Sequence, residues 1–194
     1  MIRGVGRNQF LKYRVIINVL IMCFSVLGKK LNYGLLKTFR NTNGKVGLLL
    51  RYIFLKNCCK NVGVNVSVHP GVYLFNLHNI EIGNNVSIHP MCYLDAYGSI
   101  SIGSDVSIAH NTSIISVNHT WDDVHTPIKY NIETISSVII KDDVWIGCGV
   151  RILPGVIIEK RSIIAAGAVV NKSFEGNSLI GGVPAKKIKS INEF

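Results

Sequence analysis

The chain is expected to fold as an all-β parallel β-helix of about five coils, with a basic α-helical appendage before it and a short tail after it. The first support is a period of six. From Ile140 to Val170 every sixth residue is aliphatic: Ile140, Ile146, Ile152, Ile158, Ile164 and Val170. Four positions after each of the first five stands a small or β-branched residue, Val144, Val150, Val156, Ser162 or Ala168. A helix repeats its apolar face every three to four residues and a flat strand every two, so neither gives six. A coil of short strands and corners does, one aliphatic side chain per hexapeptide filling the centre of a prism. The second support is the pair of copies IGNNVSI (82–88) and IGSDVSI (102–108), twenty residues apart. That spacing is one coil of three hexapeptides plus two extra residues at a corner. The third is charge: the first acidic residue is Glu81, which sets the N-terminal segment apart.

Residues 1–61 read as a basic, apolar helical segment. Arg3, Arg7, Lys12 and Arg14 precede the apolar run Val15–Leu27, and Lys29 and Lys30 follow it. Thirteen residues are too few to span a bilayer, which takes about twenty. On a helical wheel Arg7, Arg14, Asn18, Ser25 and Lys29 fall on one narrow stripe. Two readings stand open: an in-plane membrane helix with its basic groups toward anionic headgroups, or a helix packed on the repeat domain or a neighbouring subunit. A turn at Asn41–Gly44 leads to a second expected helix over Val46–Lys60. The repeat domain covers 62–194. Its period starts at Val62, Val68, Leu74 and Ile80, resets to Ile82, Ile88 and Leu94, and resets again to Ile102, Ile108 and Ile114. Asn84, Asn85, Ser104 and Asp105 are the polar residues that corners favour. The pattern vanishes over an excursion loop, 119–137, containing Trp121, Asp122, Asp123, His125, Pro127 and Tyr130. A break of this length in a regular solenoid is more often functional than accidental. The tail leaves the prism after Asn171, through Gly181, Gly182 and Pro184 to Lys186, Lys187 and Lys189.

Composition narrows the function. With 48% hydrophobic and 16% charged residues and a mean hydropathy of +0.32, the chain needs large buried interfaces or a membrane surface. Residues 1–80 hold 12 Lys/Arg and no Asp or Glu, while the other 114 hold nine basic and eleven acidic residues. A charge of +10 confined in this way argues against a nucleic-acid partner. The five cysteines (Cys23, Cys58, Cys59, Cys92 and Cys148) are odd in number, with no CxxC and no metal-ligand spacing. They indicate a reduced, cytoplasmic setting and no metal site. A zinc site would need three converging histidines; the twenty-residue shift puts His89 over Ala109 rather than His110, so His89, His110 and His119 do not converge.

Five segments in order carry a resemblance to a family: Asn118–His119, DDVWIG at 142–147, ILPGV at 152–156, AAGAVVNK at 165–172 and GGVPAKKIK at 181–189. Together they resemble the hexapeptide-repeat acyltransferases, in the sugar O-acetyltransferase branch of maltose and galactoside acetyltransferases. The resemblance covers about two thirds of the chain and leaves the first 60 residues outside it. It implies a left-handed β-helix, a homotrimer, and acetyl-CoA lying in the groove between adjacent prisms. It makes His119 the general base, which takes a proton from the acceptor hydroxyl as that oxygen attacks the thioester. Trp145 would stand near the acyl end of the cosubstrate, with Cys148 and Ala166 along its pantetheine. Asn171 and Lys172 would reach toward the CoA end, and Lys186 and Lys189 toward its phosphates. Acceptor-side candidates are Asp95, Asp122 and Asp123, whose carboxylates suit sugar hydroxyls, with Asn118 beside the base.

The departures from the family lie before the DDVWIG coil, where SSVII replaces a proline and an Ile-Gly step, and before Leu94–Asp95, where an acceptor-side asparagine has no counterpart. The expected function is acetyl-CoA-dependent O-acetylation of a sugar hydroxyl in lipopolysaccharide, O-antigen or capsule assembly. The acceptor would be a lipid-linked glycan, reached from the cytoplasmic face of the membrane through residues 1–60. The alternatives are a serine or amino-sugar acyltransferase on the same scaffold, or a non-catalytic trimeric scaffold.

Overall fold

The computed structural model describes residues 5–191, with side chains from Phe10 onward, so Arg3 and the Arg7 side chain lie outside the described residues. Three helices open the chain: α1 (Val5–Ser25), α2 (Gly28–Thr38) and α3 (Gly44–Cys58). The sequence reading expected two. The chain turns between α1 and α2 at Gly28, whose φ of +71° is a left-handed value that glycine adopts without strain. The buried side of α2 is made by Asn32 and Leu36. A buried asparagine leaves no apolar period to read, which is why this helix was not visible in the sequence. Asn32 Nδ2 donates to the carbonyls of Phe24 (2.8 Å) and Gly28 (2.9 Å), catching an end carbonyl of α1.

The prism that follows has three parallel faces. Face A stacks Asn61–Val62, Ile80–Ile82, Ile100–Ile102, Val138–Ile140 and Ile157–Ile158. Face B stacks Ser67–Val68, Ser87–Ile88, Ser107–Ile108, Trp145–Ile146, Ile163–Ile164 and Ser178–Gly181. Face C stacks Tyr73–Phe75, Tyr93–Asp95, Ser113–Ile115, Arg151–Ile152 and Val169–Val170. These make five complete coils and one strand of a sixth. Every aliphatic residue of the period points inward and is buried; each such side chain contributes roughly 1.5–3 kcal/mol by leaving water.

The register confirms the long coils: Val62 pairs with Ile82, and Ile82 with Ile102, whereas Ile140 pairs with Ile158. The extra residues sit at the edge between faces C and A, as the 3-10 turn Leu77–Asn79 in the first coil and the turn at residues 96–99 in the second. Corners between faces A and B are joined by a polar ladder. Asn65 Nδ2 donates to Asn85 Oδ1 (3.0 Å), and Asn85 Nδ2 to Asp105 Oδ1 (2.9 Å). All three residues have φ near +56°, the left-handed region that Asn and Asp tolerate best among side-chain-bearing residues.

Each coil donates its N–H groups to the next, as His69 N does to Ile88 O (2.9 Å). First-coil carbonyls therefore lack donors from a preceding coil, and the helices supply them. Lys56 Nζ donates to Val62 O, Tyr52 Oη to Gly63 O, Arg51 Nε to Val68 O and Tyr33 Oη to Leu74 O. Phe54, in contact with Phe24 and Phe39, joins the helical layer to the same apolar core as the prism. The inner side of the appendage thus packs on the repeat domain. At the other end the tail begins as prism, since Ser178–Gly181 pairs parallel with Ile163–Ile164. It then folds back as Lys186–Ser190, antiparallel to Ser178–Gly181.

Candidate active site

The excursion leaves the prism at the C–A edge, where the long coils carry their extra residues. Ser116 Oγ donates to Asp95 O (2.8 Å) and accepts from Gly98 N (2.8 Å), fixing the point of departure. The chain then forms an arm: Val117–His119 runs antiparallel to Glu133–Ile135, with His119 opposite Glu133. The excursion therefore starts at Val117 rather than at 119, because an antiparallel partner and not the next coil pairs with these residues. Asn131, buried within the arm, holds its tip. Its Oδ1 accepts from Asp123 N (3.0 Å), and its Nδ2 donates to Asp123 O (3.1 Å) and Thr126 O (2.8 Å).

His119 stands out from the prism on this arm with its side chain half exposed, its Nε2 3.8 Å from Glu133 Oε1. Asn118 is exposed beside it, and its Oδ1 accepts from the His119 N–H (3.1 Å). Asp95, one coil below, accepts from Asn76 Nδ2 (2.9 Å). Asp123 is committed to the arm's own turn. Hydrogen bonds from Thr126 Oγ1 (2.6 Å) and His125 N (2.9 Å) hold its carboxyl below the usual carboxylate range. Asp122 is exposed next to it. Two coils above, Asn171 and Lys172 follow the last strand of face C and lie on the same edge, exposed.

The other candidates gather elsewhere. Trp145 projects from face B, 55% exposed, in a row with Ile163, Leu179 and Lys189 set by strand register. Cys148 and Ala166 occupy the B–C corner in adjacent coils, where Gly167 N donates to Cys148 O (2.8 Å). Apart from Gly167 and its two chain neighbours, no atom lies within 4 Å of where a Gly167 Cβ would stand, so the backbone is open here. Lys186 is exposed opposite Gly181, while Lys187 is paired with Glu175. Face B lies across the prism from the C–A edge. One chain therefore does not bring His119 and Trp145 together; it presents them on opposite sides.

Glu133 and Asn131 were not singled out in the sequence, since only the arm's register shows what they face. His89 stacks on His69, ring centroids 4.8 Å apart and 5° from parallel, rather than joining His110. Among the described residues no three His, Cys, Asp or Glu side chains stand close enough to hold a metal ion. Burial pushes the Cys58 thiol up to about 11, against the opposing pull of Lys29, and raises Cys59 and Cys92 as well. Burial thus holds these three thiols in the protonated form rather than as thiolates.

Residues 137–172 match the family described as "Bacterial transferase hexapeptide (six repeats)". Galactoside O-acetyltransferase of Escherichia coli K12 is 33% identical over 144 residues, covering 74% of this chain and 70% of that protein. A maltose O-acetyltransferase from Clostridium difficile 630 superposes with a TM-score of 0.74 at 31% identity, over 88% of this chain and 89% of that one. A hexapeptide-repeat acetyltransferase of Vibrio cholerae, solved with acetyl-CoA, superposes at 0.75 with 28% identity, over 85% and 88% of the two chains. The chain belongs to the hexapeptide-repeat acetyltransferases, in the branch of the galactoside and maltose O-acetyltransferases, and is an acyltransferase on a left-handed parallel β-helix. The helical layer is not foreign to that branch. A superposition over 88% of 194 residues spans about 171, more than the 133 of residues 62–194.

Proposed function

We propose that the protein transfers the acetyl group of acetyl-CoA to a sugar hydroxyl, with His119 as general base. The observation that carries this reading is the His119 imidazole, held clear of the prism on a paired strand and flanked by the Glu133 carboxylate. Imidazole is the side chain suited to gain and lose a proton near neutral pH. His119 takes the hydroxyl proton as the acceptor oxygen bonds to the thioester carbonyl carbon. When the C–S bond breaks, the same proton passes to the departing sulfur of CoA. The negative charge on Glu133 attracts the imidazolium that exists between those two steps. No acyl-enzyme forms, in keeping with buried Cys58, Cys59 and Cys92 thiols held protonated.

The opposite placement of His119 and Trp145 supports a site completed between protomers of a homotrimer. The arm carries exposed Trp121, Val124, Ile128 and Ile132, an apolar surface that a neighbouring prism would cover. The cosubstrate suits the residues on both sides. The face B row offers an indole, two aliphatic side chains and the Lys189 ammonium, and the B–C strip leaves backbone open beside it. Asn171 and Lys172 would come from the neighbour's C–A edge with His119. Acetyl-CoA and CoA occupy the solved relatives.

We place the activity in surface-polysaccharide assembly on a lipid-linked glycan, with peripheral contact at the inner face of the membrane. The acid-free basic N-terminal region and the apolar outer side of α1 support this. His119→Ala tests the chemistry: acetyl transfer should fall about 10²–10⁴-fold with CoA binding and assembly intact. Activity retained in that variant would reject His119 as the base.

A further inference from the structure

Between α2 and the foot of the prism lies a cavity of about 340 Å³, lined among others by Lys29, Lys30, Tyr33, Phe75, Asn76 and His78. No acidic side chain lines it. Lys29 and Lys30 make no ion pair among the described residues. Both stand in the first turn of α2, which holds no acidic residue. Two ammonium groups at the positive end of a helix work against the helix's own stability. The arrangement concentrates positive potential at the cavity mouth, with the exposed amine heads free to turn inward. His78 and Asn76 add hydrogen-bonding groups from the prism side, and Tyr33 and Phe75 supply aromatic wall.

The cavity is tied to the proposed site by one continuous edge. Asn76, in its lining, donates to Asp95 Oδ1 (2.9 Å), and Ser116 donates to Asp95 O (2.8 Å) where the His119 arm begins. Stacked strands are about 4.8 Å apart, so the arm leaves two coils, about 10 Å along the axis, above Asn76. The cavity and the arm thus share one edge of the prism, two coils apart.

We propose that this cavity is an anion subsite that binds the phosphate of a phosphorylated sugar acceptor through Lys29, Lys30 and His78. The role of the bound acceptor rests on His119 being the base; the anion binding does not. Inorganic pyrophosphate is the probe, titrated calorimetrically into the full chain at saturating CoA, so that the sites for CoA phosphates are filled. Wild type should bind it, and the Lys29→Ala/Lys30→Ala double variant should bind it about tenfold or more weakly, the loss of one charge-assisted contact. Both lysines are exposed, and unchanged CoA affinity checks the fold of the variant. His78→Gln should weaken binding with both lysines present. Equal binding by wild type and the double variant, or no binding at saturating CoA, overturns the subsite.

Turnover then separates the sources of phosphate. A soluble sugar 1-phosphate and a lipid-linked pyrophosphoryl sugar in detergent micelles are each compared with the bare sugar. The subsite predicts a lower KM for at least one phosphorylated form, lost in the double variant with kcat kept. Bare sugar serving equally well as both overturns the acceptor assignment. Failure of every acceptor with pyrophosphate binding intact would instead reject the acetyl-transfer reading.

Discussion

Arg51 shows how much one side chain can carry. It is buried among carbonyls: its Nε donates to Val68 O (2.7 Å), and its Nη1 donates to Phe39 O (3.0 Å), Arg40 O (3.2 Å) and Thr42 O (2.7 Å). No carboxylate pairs with it among the described residues. Its charge is balanced instead by the carbonyl end of α2, where a helix concentrates negative potential, and burial lowers its pKa below the usual arginine value. Arg51→Met keeps the volume and removes the donors, leaving buried carbonyls unsatisfied. We expect a loss on the order of 3–5 kcal/mol of unfolding free energy, read by chemical denaturation. A loss under about 1 kcal/mol would show that water replaces the guanidinium. In the sequence Arg51 was one of twelve basic residues and nothing set it apart. A charge total cannot distinguish a buried cation from one facing solvent.

At the scale of elements, α1 has two different sides. Phe10, Leu20, Ile21 and Phe24 pack on the core around the buried Ile17. Val15, Ile16, Val19 and Met22 are exposed on the other side, with Val15 at 76%, and Val26, in the turn just past the helix, is also exposed. Lys12 lies among them, and no helix among the described residues is long and apolar enough to cross a membrane. Of the two readings of this segment, packing on the protein holds for one side of α1, and the other side is exposed. Val15→Asp/Val19→Asp should abolish co-sedimentation with phosphatidylglycerol vesicles and leave acetylation of a soluble sugar unchanged. Undiminished sedimentation would remove α1 from the membrane contact. The prism strands were legible because each hexapeptide repeats one inward position. The arm was legible only as a gap, since two antiparallel strands outside the solenoid carry no period and the partner of His119 depends on their register. The second helix was hidden by the polar Asn32 in its buried face.

For the whole molecule, the decisive fact is that the candidate residues divide between two sides of one prism. If the site forms between protomers, two inactive variants should complement each other. His119→Ala chains and Trp145→Ala chains, each inactive alone, are unfolded together and refolded as mixtures. Some interfaces then pair an intact His119 with an intact Trp145, so a fraction of wild-type activity should return. No recovery from mixtures shown by mass to be hybrid would place both residues' work within a single chain.

A solenoid has no intrinsic length: any finished coil is a template for another. The four carbonyls that Tyr33, Arg51, Tyr52 and Lys56 occupy are where such growth would begin from below, and the lysine-bearing return strand closes face B from above. Deleting the helices would thus do more than remove positive charge. It would uncover those acceptors as an open sheet edge at the foot of the prism, the kind of edge on which a strand of another chain can pair.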